Sequence, residues 1–174
     1  MAMKRILFSL MMVMMGLCSM AQNRVPGCNV VFGFPDGGWK YLSTVDVDQN
    51  TKVYLYSYSA EVVTDAAGDT VLPNMRIYVR KNYTGSVFDL VLARYEHNPY
   101  QAVEEYTDGL PSADGVGYKA YYKNVEDNKD YLFNLIYFKD KTTIVEVRME
   151  TTMDTYEAFE SKFMNVLKSF AIEK

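Results

Sequence analysis

The chain has little of what most catalytic chemistry requires. Histidine occurs once, as His97, and cysteine twice, as Cys18 and Cys28. Zinc sites are assembled from several Cys and His ligands, so no zinc framework is encoded. Nucleophile–base catalysis needs an activated Ser, Cys or Thr beside a base. The one histidine stands in Glu96-His97-Asn98-Pro99, and Gly-x-Ser-x-Gly is absent. Both glycine-rich phosphate loops, Gly-x-x-x-x-Gly-Lys-[Ser/Thr] and Gly-x-Gly-x-x-Gly, are missing too. Asp46-x-Asp48-x-Asn50 opens like a calcium loop, but Thr51 replaces the glycine at its sixth position and Ser57 the acid at its twelfth. A plain turn is expected there. Basic charge is also scarce, with 18 Lys and Arg against 22 Asp and Glu and a net charge of −4. That balance argues against nucleic acid or an anionic membrane as partner.

One long apolar run exists, and it is N-terminal. Lys4 and Arg5 precede an apolar stretch from Ile6 to Leu17, and Ser19-Met20-Ala21 supplies small residues at −3 and −1. This is the layout of a cleaved signal peptide, 1–21. The stretch is shorter than the ~20 residues a membrane span needs. The mature protein is expected to begin at Gln22 and to be extracytoplasmic, periplasmic or secreted. Cys18 offers a lipoprotein route instead, but Leu17 stands where that motif wants a small residue. Seven of the 11 methionines lie in this leader, so methionine richness belongs to targeting. Cleavage leaves 153 residues, 22–174, with 16 basic and 22 acidic side chains and Cys28 as the only cysteine. No internal disulfide can form, so the core alone must hold the fold. The length suits a single domain.

The body reads as short strands between turn signals. Val30–Phe34 is extended and closes at Pro35-Asp36-Gly37-Gly38. Trp39, Tyr41, Ser43, Val45 and Val47 then alternate with polar or smaller neighbours, as on one strand face. Val53–Val63 is a strong strand with Tyr54, Tyr56 and Tyr58 on one side. A turn at 66–69 leads back into Val71–Arg80. Ser86 with Asp89 reads as a capping box for a helix to His97, although Val87, Asp89, Val91 and Ala93 also alternate as in a strand. Asn98-Pro99 predicts a second helix, with Tyr100, Val103, Tyr106 and Leu110 on one face and Asp108-Gly109 as its stop. After a loop at 111–117 come strands at 118–125, 131–138 and 142–150. The chain closes with a helix opened by Asp154 and Glu157. Met153, Tyr156, Phe159, Phe163, Val166, Leu167 and Phe170 form its apolar face.

This order of elements resembles the PsbP-like superfamily, the fold of PsbP and of the Ran-binding Mog proteins. Phe34-Pro35-Asp36-Gly37-Gly38-Trp39 and Phe163-Met164-Asn165-Val166-Leu167-Lys168-Ser169-Phe170 carry the resemblance. The doubled glycine departs from the superfamily's usual single one. The resemblance implies an α+β fold: a twisted antiparallel sheet of about six to eight strands, with helices on its faces as an α/β/α sandwich. It implies no reaction and no cofactor, and it transfers no functional residue.

Fifteen tyrosines, all beyond the leader, are the most unusual feature. The stripe of Tyr54, Tyr56 and Tyr58 is the candidate partner-binding surface, because such rings stack on sugars or peptides. Packing beneath a helix is the competing use of the same stripe. Acidic pairs at Glu104-Glu105 and Asp127/Asp130 suit a glycosidase only if they flank one cleft. The expected function is an exported non-enzymatic binding or accessory domain for an unidentified protein or glycan, acting as a monomer or weak homodimer through a sheet face or the 111–117 loop. The alternatives are an envelope enzyme using carboxylate or tyrosine acid–base chemistry, or a structural subunit of an envelope assembly. No catalytic, metal or cofactor residue is nominated.

Overall fold

The computed structural model describes residues 22–97, 100–106 and 108–174. The expected leader, Cys18 and the Asn98-Pro99 cap lie outside them. The strands are β1 (Asn23–Arg24), β2 (Val30–Phe32), β3 (Trp39–Asp46), β4 (Thr51–Tyr58), β5 (Val63–Thr64), β6 (Thr70–Val71), β7 (Asn74–Arg80), β8 (Gln101–Tyr106), β9 (Val116–Lys123), β10 (Asp130–Asp140), β11 (Thr143–Thr152) and β12 (Ala171–Ile172). The helices are α1 (Val87–His97) and α2 (Tyr156–Lys168).

Seven strands form one antiparallel sheet in the order β3-β4-β7-β11-β10-β9-β8. The expected α+β architecture is what the chain adopts. A second sheet, β1-β2-β12, joins the two ends of the described chain. It packs with α2 over one face of the main sheet. Met75, Ile77 and Val79, Val145, Val147 and Met149, and Ile136 and Phe138 meet Phe159, Phe163, Val166 and Phe170 there. Alternation along each strand sends the intervening residues to the other face, where Val87, Leu90 and Val91 of α1 cover Phe133, Leu135, Tyr137 and Ile144.

The two motifs that carried the resemblance meet in space. The Ser169 hydroxyl accepts the Gly33 N–H at 2.9 Å and donates to the Val166 carbonyl at 2.6 Å. Phe170 stacks on Phe32 at 4.8 Å between ring centroids, and Phe34 lies against Trp39 at 6.0 Å. The doubled glycine has a steric reason. Gly37 and Gly38 both take positive φ, 66° and 80°, and a Cβ on Gly38 would come within 2.4 Å of the Tyr58 ring.

Helix α1 starts as its box predicts. The Asp89 carboxylate accepts from the Ser86 N–H at 2.8 Å and hydroxyl at 2.7 Å, and the Ser86 oxygen accepts the Asp89 N–H at 3.1 Å. The box expected for α2 does not form. Its cap is Thr155, whose hydroxyl is taken up by Thr151 and Thr152, while Asp154 reaches across to the Ala66 N–H. Met153 precedes the helix and is exposed.

Three other expectations fail, two at bulges and one at a separate hairpin. The second middle helix is strand β8, paired to β9 with a register break between Ala102 and Glu104. The extra residue, Val103, inverts the faces beyond it, so Tyr100 packs on the α1 side and Tyr106 on the α2 side, and the expected helical face does not exist. β3 has the same defect at Leu42. Trp39 and Tyr41 pair with Tyr58 and Tyr56 on the α2 side, whereas Ser43 and Val45 pair with Leu55 and Val53 on the opposite side. The single face expected for 39–47 is therefore split between both. The long strand to Val63 ends at Tyr58, and the strand expected from Val71 starts at Asn74, because Val63–Thr64 and Thr70–Val71 form their own hairpin.

Candidate functional site

The α1 side of the sheet carries an unusual set of side chains. Arg76, Tyr78 and Arg80 alternate on β7, and Glu146, Arg148 and Glu150 alternate on the neighbouring β11. Register places Arg76 directly opposite Arg148, and Tyr78 opposite Glu146. Arg94 descends from α1 onto the same rows. Two like charges directly opposite on a sheet repel, so this array stands only if carboxylates intervene.

They do, and each one is shared. Glu146 receives Arg94 through Nε at 3.1 Å and Nη2 at 3.2 Å, and Arg80 through Nη1 at 3.4 Å. Glu150 receives Arg148 Nε at 2.8 Å and Arg76 Nη2 at 2.8 Å. Both carboxylates are shielded, with side chains 5% and 2% exposed. Tyrosine faces take part of the remaining positive charge: Arg94 lies 4.9 Å from the Tyr78 ring and Arg148 4.8 Å from that of Tyr122. Two carboxylates thus serve four guanidiniums, and the cluster keeps a positive surplus inside an acidic protein. The electrostatics match. Burial depresses the Arg80 guanidinium, and Arg94 beside it adds to the effect although Glu146 opposes both. Burial is the largest effect on Arg94 and Arg76 and works against both, but Glu146 with Tyr78 and Tyr137 at Arg94, and Glu150 with Tyr78 and Tyr122 at Arg76, together outweigh it and hold both above their ordinary values.

These side chains enclose a pocket of about 160 Å³, lined by Arg76, Tyr78, Arg94, Tyr100, Tyr137 and Arg148 among others. Burial is the main reason the Tyr100 hydroxyl is pushed up to about 12, and it raises Tyr137 further still. Both are neutral hydrogen-bond donors at ordinary pH. A compact anion finds guanidinium and phenol donors here together.

The pocket continues into a shallow trough of about 500 Å³, sharing Arg76 and Tyr78 with it. Its floor is Val53 and Leu55 of β4, and its walls are Leu42, Val45, Val47 and Leu72. Helix α1 leaves this half of the face open because one helix is only about 10–12 Å wide, whereas seven strands span about 29 Å. The bulge at Leu42 is what points Val45 and Val47 into it.

The Ran-binding protein Mog1p of Saccharomyces cerevisiae superposes with a TM-score of 0.55 at 12% identity, over 88% of this chain and 96% of its own. Cyanobacterial PsbP (CyanoP) of Synechocystis sp. PCC 6803 gives 0.50 at 15% identity, over 91% and 95%. LpqN of Mycobacterium tuberculosis, involved in cell envelope biogenesis, gives 0.50 at 10% identity, over 83% of each chain. This is the PsbP and Mog1 fold. No protein-family model and no curated protein matches the sequence. Likeness at these identities is likeness of fold, and the residues of the pocket have to be read on their own chemistry.

The tyrosine stripe lies on the face opposite the pocket. Tyr54 and Tyr58 are 7% and 5% exposed, and Tyr58 meets Trp39 and Phe159 edge-on at 5.7 Å and 5.1 Å. Tyr56 is half-buried between Phe32, Phe34 and Tyr41. The rings are packed beneath α2 and the small sheet, and only the Tyr41–Tyr56 edge is open to a partner. Glu104 and Glu105, adjacent on β8, point to opposite faces. Asp127 is occupied by the Tyr131 hydroxyl at 2.7 Å. Asp48 accepts its own turn's Asn50 N–H at 2.7 Å, and Asp46 pairs with Lys52 at 2.6 Å, so the calcium-like segment is a hairpin turn. His97 is the last residue of α1. Val116 and Gly117, expected in a loop, begin β9. Cys28 donates to the Val25 carbonyl at 3.6 Å, and burial raises its thiol above the ordinary value, which leaves it a weak nucleophile.

None of the pocket residues was nominated from sequence. The available signal was Arg-x-Tyr-x-Arg at 76–80 and Glu-x-Arg-x-Glu at 146–150, charged residues at a two-residue period inside otherwise apolar strands. Net charge concealed them, because the acidic residues elsewhere outnumber this local surplus. Among the described residues no helix is long and apolar enough to cross a membrane.

Proposed function

We propose that this protein is an exported, non-enzymatic binding or accessory domain that holds an anionic group in its arginine–tyrosine pocket. One observation carries the reading: four buried or half-buried guanidiniums share two carboxylates, so the pocket lacks negative charge that a ligand would supply. The Mog1p, CyanoP and LpqN folds accord with a binding or accessory role. The leader pattern of residues 1–21 supports export, and the continuous seven-strand sheet supports 22–174 as one domain, working as a monomer or weak homodimer.

An enzymatic reading is weaker at this site. Glu146 and Glu150 lie four residues apart on one strand, about 13 Å at strand rise. Paired glycosidase carboxyls stand roughly 5–9.5 Å apart. Each is also engaged by two arginines, which occupies the lone pairs that acid–base work would use.

The test is a titration of the protein with acetate and with inorganic phosphate, followed through the side-chain Nε–H resonances of its arginines. Arg76, Arg94 and Arg148 are expected to shift saturably, while Arg24, ion-paired with Glu173 at the surface, does not. Equal, linear shifts at Arg24 and the pocket, or no shift at all, would refute the proposal.

A further inference from the structure

The pocket and the trough are one continuous surface with two chemistries. Arg76 and Tyr78 line both. Arg76 is also the most accessible guanidinium of the cluster, with 37% of its side chain exposed against 15–29% for Arg80, Arg94 and Arg148. Beyond it, Leu42, Val45, Val47 and Leu72 are each about half exposed or more, at 60%, 47%, 59% and 64%. A contiguous apolar patch of this kind marks a binding surface. We infer that the ligand is a single-chain fatty acid, its carboxylate held at Arg76 and its hydrocarbon tail lying in the trough over Val53 and Leu55. This rests on the proposed function and names the class of ligand for that same site.

Charge and shape select this occupant. The most accessible guanidinium, at the junction of pocket and trough, matches a planar monoanionic carboxylate, which accepts N–H donors in parallel. Glu150, 2.8 Å from Arg76, repels a doubly charged head more than a singly charged one, so a monoanion binds tighter than a dianion there. The trough volume of about 500 Å³ lies within the usual range for small-molecule sites. A peptide or second chain adding a strand would need a regular edge. β3, the edge strand beside the trough, is interrupted by the Leu42 bulge and carries Lys40 and Asp46, devices that block strand addition.

Calorimetric titration of the full mature chain with octanoate, decanoate and decanol tests the inference, alongside the acetate titration above. Decanoate should bind about fifteenfold tighter than octanoate, since each buried methylene contributes about fourfold. It should also bind at least tenfold tighter than decanol, because a charge-assisted pair is lost with the alcohol. Val45→Glu should weaken decanoate at least tenfold and leave the acetate response of Arg94 unchanged. Leu42→Glu, at the exposed bulge, should do the same and serves if Val45→Glu fails to fold. Arg76→Gln should weaken decanoate and acetate together.

Saturable acetate shifts with decanoate no tighter than acetate would overturn the fatty-acid inference and leave the proposed function standing. Decanol binding as tightly as decanoate would overturn the inference, because the arginines would then contribute nothing. Failure of every anion would remove both readings. A dimer on gel filtration that Val45→Glu dissociates would show a second copy in the trough and would overturn the inference.

Discussion

Glu146→Gln isolates the strongest energetic claim about the cluster. The substitution keeps the volume and one carbonyl acceptor but removes the charge shared by Arg80 and Arg94. Two hydrogen bonds from Arg94, at 3.1 and 3.2 Å, and the ion pair to Arg80, at 3.4 Å, lose their charged acceptor. Breaking a buried ion pair from one side costs about 3–5 kcal/mol, because the partner charge stays buried and unpaired. Arg94 is 29% exposed and regains some water, which places the expected loss near the lower end, about 3 kcal/mol. For a domain of this length that lowers Tm by about 6–12 °C. Urea unfolding with an unchanged m-value is the assay. Lys52→Ala, which breaks the exposed pair with Asp46, is the control and should leave the urea midpoint nearly unchanged. The triple change Arg80→Met, Glu146→Leu, Arg94→Met should recover to within about 1 kcal/mol of the parent, since apolar packing replaces buried ion pairs without penalty. Glu146→Gln within about 1 kcal/mol of the parent, or a triple variant less stable than the single, would refute this account.

Two further perturbations address the fold. Phe163 is fully buried between Trp39, Tyr156 and Phe159, so Phe163→Ala should cost about 3–5 kcal/mol, while Ser161→Ala on the exposed side of α2 changes the urea midpoint little. Lys162 would be a poor control, because its ammonium lies 5.0 Å from the Phe159 ring. In alkali, burial pushes Tyr100 and Tyr106 up to about 12, above an unfolded value near 10. Raised folded values contribute stability that is complete below about pH 10 and is lost progressively as the pH rises toward about 12. The urea midpoint should fall across that window, and phenolate absorbance should show a late fraction appearing only with unfolding; a single titration near pH 10 with constant stability would refute it.

The class of fold is legible in local chemistry along the chain. Period-two apolar strands at 131–138 and 142–150, the capping box at Ser86 and Asp89, and the phenylalanine face of the last helix each specify an element through local chemistry. Those local signals add up to an α+β sandwich. The order of elements also points to the PsbP and Mog1 fold that the chain adopts. What the sequence could not determine is set by single residues that break a period. The bulges at Leu42 and Val103 invert the faces that follow them, so Tyr100 and Tyr106 lie on opposite sides of the sheet and half of β3 turns outward.

The site lay beyond the sequence for a second reason. Arg76 and Arg148 are 72 positions apart in the chain yet directly opposite in the sheet, and Arg94 reaches them only because α1 folds back over β10 and β11. Charge counted along the chain is an average, whereas the field in a pocket depends on which charges share a low-dielectric space. Tertiary pairing alone therefore decided that an acidic protein would present a cationic pocket. The geometry of a sheet wider than one helix decided that this pocket would open onto an uncovered apolar trough.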